Sequence, residues 1–481
     1  MKTTQSLSLL ALVTLCLGTS MGQEQPREDV QQALLKAVDF FHQHVAVEGG
    51  YVYLVSSDLK YREGEGVADA KTVWVQPPGT PAVGSALLEA YRRTREPKLL
   101  QAAKDAGYCL VRGQLQSGGW QDHIDFSPEL RPKLAYRVES KPNKKARNLS
   151  TFDDDKTQSA IRFLSELDQT LEFKDAKIHN CVEFALESVL KNQHPNGGFG
   201  QVYESLGPSH HSPTQRAKFP TDWAREYPGG DYWFFYTIND NNISKVIDTL
   251  LLAASVYRQP RYRDAAIKAA DFLLLAQMPE PQPAWAQQYN FEMEPVWARK
   301  FEPPAISGSE SQNVIESLMD IYLQTGDRKY LAPIPRALTY LQESQLPNGR
   351  LARFYELQTN KPLFFTKDYK LTYSSESMPT HYSFIVANST SKLRNKYEKL
   401  SQLSDNQLQA RRELAFGPSN PERPSADLVR QVITSMDDRG AWVESGKLQY
   451  HKGRDDVNQI IRSETFIRNI GLLSAFLHAK Q

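Results

Sequence analysis

The sequence predicts an all-α chain in which helical hairpins close into a ring, an α/α toroid with short β segments in the loops at one mouth. Three observations carry this. Apolar residues recur at i, i+3, i+4 spacing along most of the chain, as amphipathic helices require. A unit of helix, short turn, helix and Gly-containing loop repeats. Sustained period-two alternation is scarce.

The unit can be followed copy by copy. Ala86 to Tyr91 leads through Leu100 and Ala103 to Tyr108, then to a loop from Gln114 to Trp120. Ile161 to Leu164 leads through Asp175 to Phe184 and a loop from Gln193 to Phe199. Leu251 to Tyr257 leads through Tyr262 and Ala265 to Phe272 and Met278. Leu318 to Tyr322 leads through Tyr330 to Tyr340 and a loop ending at Gly349. A weaker copy surrounds Met436 to Trp442. Thr325-Gly326-Asp327 and Arg258-Gln259-Pro260 are the turns within hairpins, and the Gly loops end the second helices. Loops ending on one face favour a closed ring over an open solenoid. Short strands are expected near 50–55 and 73–75. The stretch from about Glu204 to Tyr232, rich in Pro, Ser and Gly, reads as a long loop.

Residues 1–22 read as a secretory signal: Lys2, an apolar run from Leu7 to Leu17, then small residues before the cleavage point. The run is too short to span a membrane, and no later segment could. The mature chain is read as one exported domain, 23–481, and as a monomer. Only Cys109 and Cys181 then remain, which is no disulfide framework; two small buried residues in helices is the plainer reading. A formal net charge of +1 gives no polyanion footprint, so nucleic acid is not expected as a partner and any anionic ligand needs a local cluster.

Three segments offer such chemistry. Asp153-Asp154-Asp155 precedes a helical pattern, where acids suit the macrodipole; three in succession exceed that need. Thr237 to Asn242 holds five oxygen-bearing side chains in six residues, a composition suited to Ca²⁺ although it is no EF-hand. Trp297 to Ser311 combines Arg299, Lys300, Pro303-Pro304 and a restart in which Ser307 or Ser309 caps a helix ahead of Glu310. Arg350, Arg353, Lys361 and Lys367 follow in an aromatic-rich, β-like stretch. With Arg299 and Lys300 they suit an anionic sugar polymer. There is no phosphate loop, zinc-spaced Cys/His set or Gly-x-Ser-x-Gly, and the pair His210-His211 has no ligand spacing.

These segments resemble the family 10 polysaccharide lyases, pectate lyases with an α/α-toroid fold, in order along roughly 150–382. Thr151 to Thr157 stands where that family has Thr-Ile-Asp-Asn-x-x-Thr. Asn196 to Gln201 is similar to its Asn-Gly-Gly-Trp-Pro-Gln, and Thr237 to Asp240 to its Thr-Phe-Asn-Asp. Trp285 to Tyr289, Ala298 to Glu302 and Ala352 to Glu356 follow its pattern closely, the last continuing through Thr359-Asn360-Lys361-Pro362. The resemblance implies Ca²⁺-assisted anti-β-elimination on polygalacturonate. It implies Arg299 as the base, Asp153 and Asp240 as the acids of the substrate and metal site, and Arg353 and Lys367 as carboxylate binders, with Lys300 beside them. The chain departs from the pattern in Lys367, where Arg is usual, in Asp154, where Asn is usual, and in the length of 204–232. Arginine is almost always charged, so an Arg base needs a neighbouring cation, such as Lys300 or Ca²⁺, and alkaline pH. The alternatives are a hydrolase on the same toroid using paired carboxylates such as Asp155 and Asp240, and a uronate-binding protein without catalysis.

Overall fold

A computed structural model describes residues 26–139, 145–204, 207, 214–416 and 422–478. The signal segment and His210-His211 lie outside them.

Helices predominate and pair into hairpins. In chain order they are α1 (Arg27–Phe40), α2 (Thr80–Thr94), α3 (Pro97–Gly113), α4 (Lys156–Thr170), α5 (Ala176–Asn192), α6 (Asn242–Tyr257) and α7 (Pro260–Leu275). Then come α8 (Glu310–Thr325), α9 (Ile334–Glu343), α10 (Thr390–Ser401), α11 (Asp405–Phe416), α12 (Ala426–Thr434) and α13 (Ser463–His478). The hairpin turns follow from local chemistry. Arg95, Arg258 and Gly326 end α2, α6 and α8 in the left-handed conformation, which turns the chain and satisfies a terminal carbonyl. Pro97 and Pro260 open the returning helices, where a missing N–H costs nothing. Asp175 opens α5 by accepting from the amides of Lys177 and Ile178.

One helix of each hairpin follows a common path. α13 packs on α2, α2 on α4 and α4 on α6. α6 meets α8 through the Ser244 and Ser317 hydroxyls at 2.7 Å, and α8 packs on α10. The result is an arc of hairpins. A single cluster of buried apolar side chains runs from Val30 on α1 to Phe476 on α13. Cys109 and Cys181 are free thiols buried in α3 and α5.

The repeated loops share one construction. Gln114, Gln193 and Gln277 each follow a returning helix. Each side-chain amide donates to a carbonyl of its own loop and to one of the next hairpin: Gly118 and Cys181, Gly197 and Ala265, Pro283 and Pro333. The indoles of Trp120, Trp285 and Trp442 donate back to Leu110, Leu273 and Val432 on the helix just ended. Gly118, Gly197, Gly349 and Gly440 take positive φ in these turns. Gly197 also lies so close to the Lys268 carbonyl that a Cβ would stand 2.0 Å from it.

Strands of two to four residues leave these loops. They form more sheet than the sequence suggests. Strand 305–307 pairs with 354–356, that with 362–365, and that with 371–372, all antiparallel. Strand Leu54–Ser56 joins 62–63, 67–68, 443–445 and 459–462 in a five-stranded sheet. Glu63, buried in it, accepts from the backbone amides of Gln449, Tyr450 and His451. Segments this short carry too little alternation to be read. Among the described residues no helix is long and apolar enough to cross a membrane.

Candidate active site

Two turns of the same shape face each other at the start of α4 and α6. Each follows a two-residue strand, Ser150–Thr151 or Tyr236–Thr237. Each then places one helical residue (Asp153, Asn239) and two left-handed ones: Asp154 at φ 47° and Asp155 at 63°, Asp240 at 52° and Asn241 at 59°. Left-handed backbone is costly for most side chains, and Asp and Asn tolerate it best. The kink turns successive side chains to different sides. Asp154 and Asp240 come together with Asp153, with one carboxylate oxygen of each within 4.8 Å of the others. Asp155 turns away and pairs with Arg162 at 2.5 Å. The pairing of Asp155 with Asp240 expected for a hydrolase is therefore not formed; Asp154 holds that place.

The three acids line a cavity of about 140 Å³ with Asn239, Gln287, Arg299 and Glu302. Lys156, almost fully buried, stands 3.0 Å from both Asp153 and Asp122 and 3.7 Å from Asp154. Burial works against its charge, yet Asp153 and Asp122 hold its pKa above the ordinary lysine value. Burial and the neighbouring Asp153 raise the Asp154 pKa, against the pull of Lys156. Asp240 is exposed to solvent. Partial burial, then Asp154, Asp153 and Glu310, push its carboxyl up to about 7. The buried Asn239 Oδ1 and Gln287 Oε1 carry no hydrogen-bond partner among the described residues.

Arg299 closes the opposite wall. Its backbone turns tightly, with the Ala298 amide on the Glu302 carbonyl and the Glu302 amide on the Arg299 carbonyl. The Glu302 carboxylate, buried, accepts from Arg299 Nε at 2.7 Å, from Arg299 Nη2, and from the Tyr382 hydroxyl at 2.9 Å. The guanidinium lies over Phe301 and Tyr382, and the Arg353 guanidinium lies over the same Tyr382 ring, 4.6 Å from its centre. Burial works to lower the Arg299 pKa, but the Glu302 carboxylate overrides it and holds the guanidinium above its ordinary value. Lys300 projects over Tyr369, 3.7 Å from the ring centre, and the charged group in contact with Arg299 is the Glu302 carboxylate.

The structure thus brings together Asp153, Asp240, Arg299 and, through Tyr382, Arg353. Arg353 is anchored by the Ser383 carbonyl at 2.7 Å and by buried Glu310 at 3.4 Å. Lys367 is exposed at the turn between strands 362–365 and 371–372, two residues before Tyr369. Arg350 hydrogen-bonds the Ile385 and Val386 carbonyls, and Lys361 lies over Tyr373. The hydroxyl that caps α8 is Ser307, three residues upstream, which accepts from the amides of Ser309 and Glu310; Ser309 makes no side-chain cap. Sequence reasoning missed Asp154, Glu302 and Tyr382 as site residues. Glu302 was readable as the i+3 partner of Arg299 ahead of Pro303; Tyr382 has no local signal.

Comparison with known proteins agrees with the motifs. No curated protein matches the chain. Among solved structures, a family 10 polysaccharide lyase from Cellvibrio cellulosa is 20% identical, with 66% of this chain and 98% of that chain covered and a TM-score of 0.45. A mutant of that lyase in complex with trigalaturonic acid gives 20%, the same coverage and 0.44. A D-mannose isomerase is 13% identical over 95% of this chain and 99% of its own, at 0.45. The resemblance carried by the motifs is shown: residues 114–321, which hold both acidic turns, Arg299 and Glu302, match the pectic acid lyase family.

Proposed function

We propose that this chain is an exported polysaccharide lyase that cleaves polygalacturonate by Ca²⁺-assisted anti-β-elimination, and that its arc of hairpins closes as an α/α toroid. One observation carries the reading: Arg299 faces a cluster of three carboxylates across a cavity of about 140 Å³. A base opposite a cation site is what proton removal beside a carboxylate requires.

The acid cluster suits Ca²⁺. Oxygen atoms within 4.8 Å of one another can share one ion at 2.3–2.6 Å. The unpartnered oxygens of Asn239 and Gln287 add neutral donors, as a hard cation prefers. Burial first, then the neighbouring Asp154, Asp153 and Glu310 carboxylates, push Asp240 up to about 7, and a bound cation would relieve that repulsion. When bound there, Ca²⁺ neutralises the substrate carboxylate and makes the C5 proton more acidic. The chain does the rest. Arg353 and Lys300 supply further positive charge for uronate carboxylates. Arg299 takes the C5 proton, and the C4=C5 double bond forms as the C4–O bond breaks. The electron pair of that bond leaves on the glycosidic oxygen, which takes a proton from water as the new reducing end, and a 4,5-unsaturated sugar remains on the new non-reducing end. For that role the guanidinium must first release its proton, which Glu302 opposes. A neighbouring cation, together with alkaline pH, favours the release.

The test is the absorbance of the conjugated product formed from polygalacturonate at alkaline pH, with Ca²⁺ and with a chelator. A chelator-sensitive rise is expected, and Arg299→Ala lowers turnover by on the order of 10²–10⁴ while binding falls modestly. Reducing-sugar release without absorbance sinks the lyase reading and favours hydrolysis. Binding without either signal favours a non-catalytic uronate-binding protein.

A further inference from the structure

We infer that residues 214–232 and the hairpin 362–373 form a distal subsite that grips uronate units beyond the reacting sugar. The inference rests on the lyase reading for its ligand and on separate residues for its geometry.

The segment 214–232 has no regular secondary structure, yet it is fastened along its length. The Ala217 amide donates to the Leu275 carbonyl at 2.8 Å and the Lys218 amide to Met293 at 3.1 Å. The Trp297 indole donates to the Ala224 carbonyl at 2.8 Å. Arg225 reaches Glu356 on the sheet at 2.6 Å. Trp223 and Tyr227 lie against Trp297, with ring centres 6.4 and 5.8 Å away. The segment therefore stands as a wall rather than as a loose loop.

Between that wall and the hairpin lies a groove of about 900 Å³, with Trp297 and Glu356 at its base and Arg225, Tyr227, Lys370 and Tyr373 along its sides. Its lining is tied to the segment that carries Arg299. Trp297 precedes Arg299 by two residues, and Tyr369, at the groove's edge, carries the Lys300 ammonium and packs on Phe301. The volume suits about two or three sugar rings, the size of an ordinary small-molecule ligand.

The lining has the chemistry of a uronate chain. Tyr227 and Tyr373 are 39% and 54% exposed, among the few large apolar side chains left at the surface. Exposed rings that are apolar on the face and polar at the tip suit a ligand with the same two characters, a sugar ring. Arg225, Lys370 and Lys361, which lies over Tyr373, face two acids, Glu356 and Glu226. Glu356 is already committed to Arg225, Thr359 and the Tyr373 hydroxyl. The balance left for a ligand is cationic. Arg225 also lies 3.9 Å over Trp223, which presents its remaining donors in a fixed direction.

The experiment compares short and long galacturonate oligomers. For the wild type and for Tyr227→Ala and Tyr373→Ala, kcat/KM is measured on the trimer and the hexamer with Ca²⁺. Each variant should lower the hexamer value by about tenfold and leave the trimer within about twofold. Arg225→Gln, which keeps a donor toward Glu356, should act the same way, and melting curves confirm that each variant folds. Equal loss on both oligomers, or no loss on either, overturns the subsite. Calorimetric binding of both oligomers to Arg299→Ala separates the two readings. A hexamer preference removed by Tyr227→Ala sustains the subsite even if the wild type proves not to be a lyase. Absence of any hexamer preference refutes it even if the wild type is one.

Discussion

The turns Asp153–Asp155 and Asn239–Asn241 share a backbone and differ in charge. Both kink through two left-handed residues and both aim their middle Asp at the same cavity. At the first helical position the first turn has Lys156 and the second has Asn242, a buried amide with no side-chain partner among the described residues. Asp154 therefore has a lysine of its own turn 3.7 Å away, whereas the cation acting on Asp240 is Arg299, from another segment and paired with Glu302. The difference teaches that the repeat supplies the geometry twice, while one half carries its counter-ion in its own turn and the other draws on Arg299 from another segment.

Removing the unbalanced half should have the largest effect. Asp240→Ala is expected to weaken Ca²⁺ binding by on the order of 100-fold, read by calorimetry and by the Ca²⁺ dependence of product absorbance. Removing the counter-ion from the balanced half comes next. Lys156→Met leaves Asp153 and Asp122 facing each other across an apolar gap and should cost roughly 2 kcal/mol of stability. That is less than for a fully buried pair because Asp122 stays half exposed. Urea unfolding measures it; no change would mean that solvent already balances the first turn.

The pH dependence sharpens the contrast. Asp240 has a raised pKa in the folded state, so the native protein holds a proton that the unfolded chain releases. Its contribution to stability is complete below about pH 4 and is lost as pH rises to about 7. Melting temperatures without Ca²⁺ should fall over that window, and Ca²⁺ should restore more stability at pH 8 than at pH 5. Asp154→Asn removes one repelling carboxylate and should lower the Asp240 midpoint, moving the stability window toward acid. The smallest effect concerns the loops behind the turns. Trp120 hydrogen-bonds back to Leu110, whereas Phe199 in the second copy has no such donor. Trp120→Phe makes the copies alike and should cost about 1 kcal/mol in thermal unfolding.

How much of this was legible follows from distance along the chain. The hairpins and their Gln and Gly loops recur locally, so their helices and turns could be read. The oxygen-rich turns were visible as composition, and so was the cationic pair at Arg299. Which of three successive acids faces the cavity was not visible, because a left-handed kink decides it and Asp154 rather than Asp155 turns inward. Tyr382, which holds Glu302 and shares its ring between Arg299 and Arg353, lies 80 residues from Glu302. Only tertiary structure joins them. Strands near 50–55, 73–75 and in the β-like stretch after 350 could be read, but not how they join into sheets, because strands of two to four residues take their partners from far away.

Glu63 illustrates the cost of such distance. Its three amide partners begin 386 residues later, and the strand beside it waits for 459–462. On a ribosome adding about 5–20 residues per second, that interval is roughly 20–80 s. Throughout it, the Glu63 carboxylate stays in water without its amides, and a strand edge lies open to any passing chain. The helical hairpins between can form as they emerge, but this seam closes last. Its nascent half is the natural client of a holding chaperone.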